Sequence, residues 1–307
     1  MRILCLDVGA ATIQFGVMED GRETFCERSE MPTRGREGAE AVLARLVKII
    51  DRYAGSIDCI SICTRGRIDE EKSEIVLSTD DIPGWGGFPL VPRLKERFAP
   101  LPIVIVNDTT ALALGEAHFG SMRGQEGFLC LNIGAGIGGV VMHGGRVQWL
   151  RSRRAPEMGH IMLHSGGRRC SCGQLGCFEA YASAHALIRM AACRLRRRTL
   201  TGRELFCLVE KGDAVAQECL ENWAHEVALG LYNICCVVNP DAVVLGGGIM
   251  QQRAALEAVR RKMEALPCMQ EIKPACIRAS SLGSAAGLYG CVVAARQKLA
   301  KKAAVSE

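Results

Sequence analysis

Short apolar segments alternate with turns and amphipathic stretches along the whole chain. The first two apolar segments, residues 1–8 and 13–18, are separated by glycine, a pattern that predicts a hairpin of two strands. Asp7 lies at its turn, where we expect the side chain to be exposed. Residues 127–133 and 138–143 predict a second hairpin around a glycine-rich turn. The two halves of the chain are therefore expected to share one plan.

Further periodic segments extend this plan. Helices are predicted at residues 40–50, 109–119 and 214–238 and from about residues 251 and 284, and buried strands at 57–63, 102–106 and 241–245. Hairpins mixed with strand-to-helix units predict an α/β protein with mixed sheets. We expect an N-terminal α/β domain over residues 1–119 and a C-terminal α/β domain over 120–287. The last helix, about 288–307, is expected to pack back on the first domain.

Composition narrows the class of protein. The 307 residues exceed the roughly 100 to 200 of a typical domain. No apolar run reaches the roughly 18 residues that cross a bilayer, and the chain opens on a strand pattern, so a cytoplasmic protein without membrane contact is expected. Sixteen scattered cysteines are consistent with a reducing compartment.

The net charge of +5 includes two arginine-rich runs, at residues 151–154 and 194–198. The second continues an amphipathic helix pattern, so a solvated helix face explains it. No recognition motif accompanies the charge, and nucleic-acid binding is not expected. The run from Arg151 to Arg154 leaves an anionic substrate open.

The cysteine-rich segment after His160 has the composition of a zinc site. Cys170, Cys172 and Cys177 supply three thiols within eight residues, and one imidazole completes a tetrahedral set. The alternative is that these are ordinary buried cysteines. Four protein ligands leave no position for a reactive water, which favours structural zinc over a zinc hydrolase.

A carboxyl group, Asp108, follows a predicted strand and opens a predicted helix. Open α/β sheets expose catalytic side chains at such positions, although Asp is also a common helix cap. Asn107, Glu157, His160 and Glu179 add polar groups that suit a polyol, because hydroxyls both donate and accept hydrogen bonds. One carboxylate can then remove a proton from the substrate. His160 can bind zinc through one ring nitrogen and a sugar through the other.

Glycine clusters supply a second kind of site. Gly134, Gly136 and Gly138 mark the second hairpin turn, and Gly246, Gly247 and Gly248 precede a helix. Such segments let backbone N–H groups approach phosphates. Neither matches the dinucleotide-binding motif, and together they fit ATP with magnesium better.

Taken together, these motifs resemble the ROK family of bacterial sugar kinases and related repressors, a branch of the actin, Hsp70 and hexokinase superfamily. The resemblance covers nearly the whole chain. It is carried by Asp7-Val-Gly9, Gly66-Arg-Ile-Asp69, Ile82-Pro-Gly-Trp85, Asn107-Asp108, Gly134 to Gly139, Glu157-Met-Gly-His160, the segment from Cys170 to Glu179, and Leu245-Gly-Gly-Gly248.

The resemblance implies a two-lobed actin-like ATPase fold with a ribonuclease-H-like core and a central cleft, in a homo-oligomer. It implies that Asp108 is the general base for phosphorylation of a sugar. The sugar-binding residues would be Gly66, Asn107, Asp108, Glu157, His160 and Glu179; the nucleotide and its Mg²⁺ would meet Asp7, Gly9, Thr12, Gly134, Gly136, Gly138, Gly246, Gly247 and Gly248; and structural Zn²⁺ would be bound by His160, Cys170, Cys172 and Cys177.

Two departures from the family pattern affect the phosphate motifs. The usual Asp-x-Gly-Gly-Thr contains Ala10 and Ala11 here, with Thr12 one place late, and the usual Gly-Thr-Gly contains Ala135. Pro156 also replaces a common glycine. Loss of one preorganised donor costs roughly 100- to 1000-fold in rate.

Two functions are therefore predicted as alternatives. The first is ATP-dependent phosphorylation of a hexose or N-acetyl amino sugar, as in a glucokinase. The second is a catalytically impaired sugar-binding protein that acts as a sensor or regulator.

Overall fold

The computed structural model describes residues 1–78, 81–148, 156–267 and 269–305, which form two compact units. The first unit comprises the described residues of Met1–Gly124, Gly145–Ala155 and Ala285–Glu307, and the second those of Gln125–Gly144 and Pro156–Ser284. The division thus falls after Gly124, whereas the predicted boundary lies after residue 119.

Strands and helices alternate along the described chain. The strands are β1 (Arg2–Val8), β2 (Thr12–Glu19), β3 (Glu27–Pro32), β4 (Cys59–Thr64), β5 (Arg67–Asp69), β6 (Glu74–Leu77), β7 (Ile103–Asn107), β8 (Gly127–Ile133), β9 (Ile137–His143), β10 (Arg146–Val147), β11 (Ala242–Gly246) and β12 (Cys276–Ala279). The helices are α1 (Ala39–Asp51), α2 (Leu90–Phe98), α3 (Asp108–His118), α4 (Glu179–Ala182), α5 (Ala184–Arg194), α6 (Gly202–Glu210), α7 (Ala214–Val238), α8 (Arg253–Ala265) and α9 (Ala286–Val305).

The sheet of the first unit has the strand order β3-β2-β1-β4-β7. The pairs β1–β2 and β2–β3 are antiparallel, and β1–β4 and β4–β7 are parallel. Side chains of a strand alternate between the two faces, so Leu4 and Leu6 join the core with α1 and α2, whereas Ile3 and Cys5 join the core with α9. The central strand β1 is therefore buried on both sides.

In the second unit the strands β9-β8-β11-β12 repeat the order and sense of β2-β1-β4-β7. The long helix α7 packs with α5, α6 and α8 on a core that contains the buried Trp223. Asp213 caps this helix by accepting from the N–H of Ala216 at 2.9 Å, and Asn239 ends it in the left-handed conformation. The two units thus share one strand topology.

The predicted α/β class with mixed sheets is confirmed, and both predicted hairpins are present. The expected exposure of Asp7 is wrong. Asp7 lies inside β1, paired with Gln14 on β2 and Cys63 on β4, and Gly287 of α9 packs directly against its carboxylate. None of the described helices combines the length and apolar character that crossing a bilayer requires.

Candidate active site

Three parallel strands of the first unit end side by side and carry its chemical groups. Val8 of β1 is paired with Thr64 of β4, and Thr64 is paired with Asn107 of β7. Asp7 therefore precedes the end of one strand, and Asp108 directly follows the end of another. The carboxyl edge of this sheet brings the two carboxylates into electrostatic contact.

Asn107, rather than Asp108, caps α3. Its Oδ1 accepts from the N–H groups of Thr109 at 2.9 Å and Thr110 at 3.2 Å, and its Nδ2 donates to the carbonyl of Gly66 at 2.8 Å. Asp108 is the first residue of the helix, and its Oδ1 accepts from Thr109 N–H at 2.8 Å. The capping alternative for Asp108 is therefore wrong. The Asn107 side chain also interacts with the Asp108 carboxylate, so it links the cap of α3, the carbonyl of Gly66 and Asp108.

Both carboxylates of this edge hold protons more tightly than usual. Burial, followed by the nearby charge of Asp108, raises the pKa of Asp7 to about 7. Burial also raises the pKa of Asp108, against the lowering effects of the Arg65 guanidinium and of hydrogen bonds from Thr109 and Asn107. Because ionisation of these two carboxyl groups is unfavourable without a counter-charge, the pair suits a divalent cation bound through oxygen.

The first hairpin turn, residues 9–12, is fixed by a neighbouring threonine. Thr33 donates its N–H to Ala11 O at 2.8 Å and its hydroxyl to Gly9 O at 2.7 Å, and it is fully buried. Inside the turn Gly9 N–H donates to Thr12 O at 3.1 Å. A cavity of about 380 Å³ adjoins the turn, with this lining: Ala10, Ala11, Pro32, Arg34, Gly35, Arg36, Glu37 and Asp81.

The predicted zinc ligands of the second unit converge. The ligand atoms of His160, Cys170, Cys172 and Cys177 all lie within 4.8 Å of one another. Cys172 and Cys177 Sγ atoms are 3.6 Å apart, and His160 Nδ1 is 3.5 Å from Cys170 Sγ. With Zn–S near 2.3 Å and Zn–N near 2.05 Å, a tetrahedral ion separates its ligands by about 3.8 Å (S···S) and about 3.5 Å (N···S). The donor set fits zinc.

The thiols of this cluster differ in pKa. The backbone N–H of Gln174 is the main cause of a lowered pKa at Cys172, whereas burial and then hydrogen bonding with Cys172 raise the pKa of Cys177 to about 12. Zinc binds the thiolate form, so metal loading releases protons from this cluster. The cluster can therefore hold a metal ion, with affinity that rises with pH.

Glu179 connects the zinc cluster with the glycine turn of the same unit. Its Oε2 accepts from Ile137 N–H at 2.8 Å, and its Oε1 accepts from the Ser171 hydroxyl at 3.3 Å. A Cβ at Gly136 would collide with the Glu179 carboxylate. A side chain at this position would therefore displace the Glu179 carboxylate, and the predicted sugar ligand Glu179 also fixes the second hairpin turn.

The other glycine segment ends β11. Gly247 has φ +96, and a Cβ there would collide with Ile133 O, so only glycine fits. A 3-10 turn, Gly248–Gln251, separates this segment from α8, so the helix begins two residues later than predicted. A cavity of about 420 Å³ beside it has a lining of mixed polarity: Ala184, Leu187, Ile188, Gly202, Arg203, Phe206, Cys207, Glu210, Gly248, Ile249 and Gln252.

Each unit thus brings together its own share of the predicted residues. The first unit gathers Asp7, Gly9, Thr12, Gly66, Asn107 and Asp108 at one sheet edge and its adjoining turn. In the second unit Gly134, Gly136 and Glu179 surround one turn, whereas Gly138 lies in β9, paired with Asn132. The exposed Glu157 directly precedes the 3-10 turn Met158–His160. Arg151 to Arg154 lie outside the described residues.

Sequence reasoning missed three residues of these sites. Thr33 fixes the first turn, Ser171 contacts Glu179, and Arg65 interacts electrostatically with Asp108. The role of Arg65 could have been predicted from the sequence, because it directly precedes Gly66, a predicted sugar-binding residue. Thr33 comes from a different part of the chain, and its role depends on tertiary contacts.

The fold is that of the actin-like ATPases. A glucokinase from Streptomyces griseus, solved with glucose and AMPPNP, matches 97% of this chain and 100% of its own with a TM-score of 0.85 and 26% identity. A ROK hexokinase from Thermus thermophilus matches 98% of this chain and 100% of its own with a TM-score of 0.79 and 33% identity.

The family follows from sequence as well. The ROK family model matches residues 3–298, so the chain belongs to the ROK family. A glucokinase from Halalkalibacterium halodurans is 27% identical over 307 aligned positions, which cover 93% of this chain and 92% of that protein. The resemblance inferred from the motifs is confirmed.

Proposed function

We propose that this chain transfers the γ-phosphoryl group of ATP to a hydroxyl of a hexose or an N-acetyl amino sugar, with Asp108 as the general base. Its enzyme class, an ATP-dependent sugar kinase, is that of its glucokinase relatives. The observation that carries the proposal is the position of Asp108 at the carboxyl edge of the sheet. Asn107 caps the helix in its place, and Asp108 interacts electrostatically with Asp7.

The groups of the first unit divide the chemistry between them. Asp108 would accept the proton of the attacking hydroxyl, and its raised pKa favours that acceptance. Asp7 would hold Mg²⁺, which would neutralise phosphate charge when ATP is bound. Gly66 and Asn107, which are joined by a hydrogen bond, would orient the sugar beside Asp108.

The second unit would supply the nucleotide and sugar contacts that remain. Its 420 Å³ cavity next to Gly248 combines apolar side chains such as Ile188 and Phe206 with polar ones, and it suits an adenine ring. Structural zinc would hold His160 through Nδ1, which leaves Nε2 for a sugar hydroxyl. Glu157 and Glu179 would accept hydrogen bonds from further hydroxyls.

Free backbone amides support phosphate binding despite the missing hydroxyls. The N–H groups of Gly9, Gly134 and Ile137 are used inside the two units, bonded to Thr12 O, Gly136 O and Glu179. Those of Ala10, Ala11, Ala135 and Gly136 have no hydrogen-bond partner among the described residues. Four donors thus remain for phosphate oxygens.

A second candidate function follows from Ala11 and Ala135, which lack the hydroxyls usual in the family. With phosphoryl transfer lost, the chain would bind a sugar and act as a sensor or regulator. Calorimetry separates the two candidates: ATP binding that strengthens with sugar supports the kinase, and sugar binding without ATP binding supports the sensor.

A coupled ADP-release assay on zinc-replete protein tests the proposal with glucose, N-acetylglucosamine, N-acetylmannosamine, allose and fructose. We expect turnover of at least one sugar, and a loss of about 10²- to 10⁴-fold in kcat for Asp108→Asn with sugar affinity retained. The surface variant Asp51→Asn is the control. Absence of turnover with every sugar would reject the kinase, and an active Asp108→Asn would reject the general base.

A further inference from the structure

An ion pair of the first unit lies next to the proposed base. Arg65 Nη1 is 2.6 Å from Asp81 Oδ2, and the two side chains are 25% and 40% exposed. Among the described residues, Nε and Nη2 of Arg65 have no hydrogen-bond partner. The guanidinium therefore retains donors while one nitrogen is fixed by a carboxylate.

Strand register places Arg65 at the same sheet edge as Asp108. Arg65 follows Thr64, and Asp108 follows Asn107, the residue with which Thr64 is paired. The Asn107 side chain also bonds the carbonyl of Gly66, which holds the two strand ends together. Asp81 lines the 380 Å³ cavity beside the first hairpin turn. Arg65 thus interacts electrostatically with Asp108, and its partner Asp81 faces the cavity of the first hairpin turn.

We propose that the Arg65–Asp81 pair binds two neighbouring hydroxyl groups of the sugar. A guanidinium only donates hydrogen bonds and a carboxylate only accepts them. A hydroxyl does both, so two hydroxyls on adjacent ring carbons can bridge a donor and an acceptor held side by side. This inference rests on the proposed sugar kinase.

A series of monodeoxy sugars tests the pair, because each member lacks one hydroxyl. For the sugar that the wild type turns over best, we expect Arg65→Met to lower kcat/KM by about 10- to 100-fold, the effect of one charged hydrogen bond. One deoxy derivative should show a similar loss with the wild type. On that derivative, Arg65→Met should lower kcat/KM little further, because the hydroxyl that Arg65 binds is already absent. Arg65→Lys should recover part of the activity.

Matched variants separate binding from folding. Arg97 and Asp51 form an exposed pair with N···O distances of 3.0 and 2.9 Å, so Arg97→Met and Asp51→Asn control for the loss of such a pair. Asp81→Asn should give the same deoxy-sugar pattern as Arg65→Met. Equal losses on every sugar would show that the pair only joins two loops, and would overturn the proposal.

The same series can be measured by binding calorimetry, which needs no phosphoryl transfer. If Asp108→Asn remains active, the general base is rejected while the deoxy-sugar pattern still decides on Arg65. If no sugar binds the wild type, both the inference and the proposed function are overturned. Urea unfolding of each variant verifies that it is folded.

Discussion

The first and second hairpin turns occupy the same place in two sheets of the same topology, yet they are fixed by different chemistry. In the first unit, the neutral hydroxyl and backbone of Thr33 hold residues 9–12. In the second unit, the Glu179 carboxylate holds Ile137 and contacts Ser171 of the zinc loop. One turn is thus independent of the acidic groups around it, and the other depends on one of them.

This difference predicts how each hairpin turn responds when a nearby side chain is changed. The carboxylates of the first unit, Asp7 and Asp108, take no part in holding its hairpin turn. In the second unit Glu179 contacts both the second hairpin turn and the segment of the cysteine cluster, so damage to that segment should change the turn.

Loss of zinc should have the largest effect and should be confined to the second unit. Structural zinc contributes directly to folding, so Cys172→Ser is expected to lower the melting temperature by on the order of 10 °C. Hydrogen exchange should accelerate at the Ile137 amide, whose bond to Glu179 depends on the loop, and remain unchanged at the Gly9 amide. Zinc content and calorimetry complete the measurement.

The control for this change is Cys193→Ser, an exposed cysteine of the same unit outside the cluster. It should leave zinc content and melting temperature unchanged. Faster exchange at Gly9 in the Cys172→Ser protein would contradict the independence of the two turns.

Removal of the Asp7 charge should stabilise the first unit at high pH. The folded pKa of about 7 lies above the ordinary 3.8, so the contribution of Asp7 to stability is complete below that lower value and is lost as pH rises through 7. Without magnesium, we expect the free energy of unfolding of Asp7→Asn, relative to the wild type, to increase by about 1.4 kcal/mol per pH unit within this window. Above pH 7 the difference should become constant.

Urea unfolding at several pH values between 4 and 8 measures the effect. The surface variant Asp51→Asn is the matched carboxyl-to-amide control and should follow the wild type. A constant difference between Asp7→Asn and the wild type at every pH would show that the charge of Asp7 costs the folded protein nothing.

Gly136→Ala should damage the second turn, because its Cβ would meet the Glu179 carboxylate. Overpacking of this kind costs about 1 to 3 kcal/mol in the free energy of unfolding. Gly134→Ala is the control, since a Cβ there meets only Gly136 O at 4.0 Å. Denaturant unfolding of the two variants compares them, and equal stability would mean that Glu179 can move without loss.

Thr33→Val should have the smallest effect, about 1 kcal/mol, because it removes one hydrogen bond from the first turn. Thr33→Ser keeps the hydroxyl and should retain most of the stability. If Thr33→Ser and Thr33→Val lose the same amount, the methyl group rather than the hydroxyl holds the turn.

Much of the fold could be predicted because its signals are local. Apolar runs bounded by glycine indicated β1, β2, β8 and β9 to within one or two residues, and the period of α7 gave both of its ends. The convergence of the zinc ligands could be predicted for the same reason, since Cys170, Cys172 and Cys177 lie within eight residues.

What could not be predicted depends on contacts between distant segments. Burial of Asp7 requires Gly287 of α9, and the role of Thr33 requires the first turn to return to β3. Local sequence also cannot decide which of two adjacent capping residues is used: Asn107 takes the cap because its amide simultaneously reaches Gly66.

The return of α9 to the first unit has a consequence for synthesis on the ribosome. Leu288, Cys291 and Val292 fill the same core as Ile3 and Cys5, and Ser61 donates its hydroxyl to Cys291 O at 2.8 Å. The first residues to be synthesised therefore cannot complete their core until the C-terminal helix has been synthesised. A nascent or prematurely terminated chain can complete the second unit but leaves the surroundings of Asp7 open to water, so truncated products should carry no phosphotransfer activity.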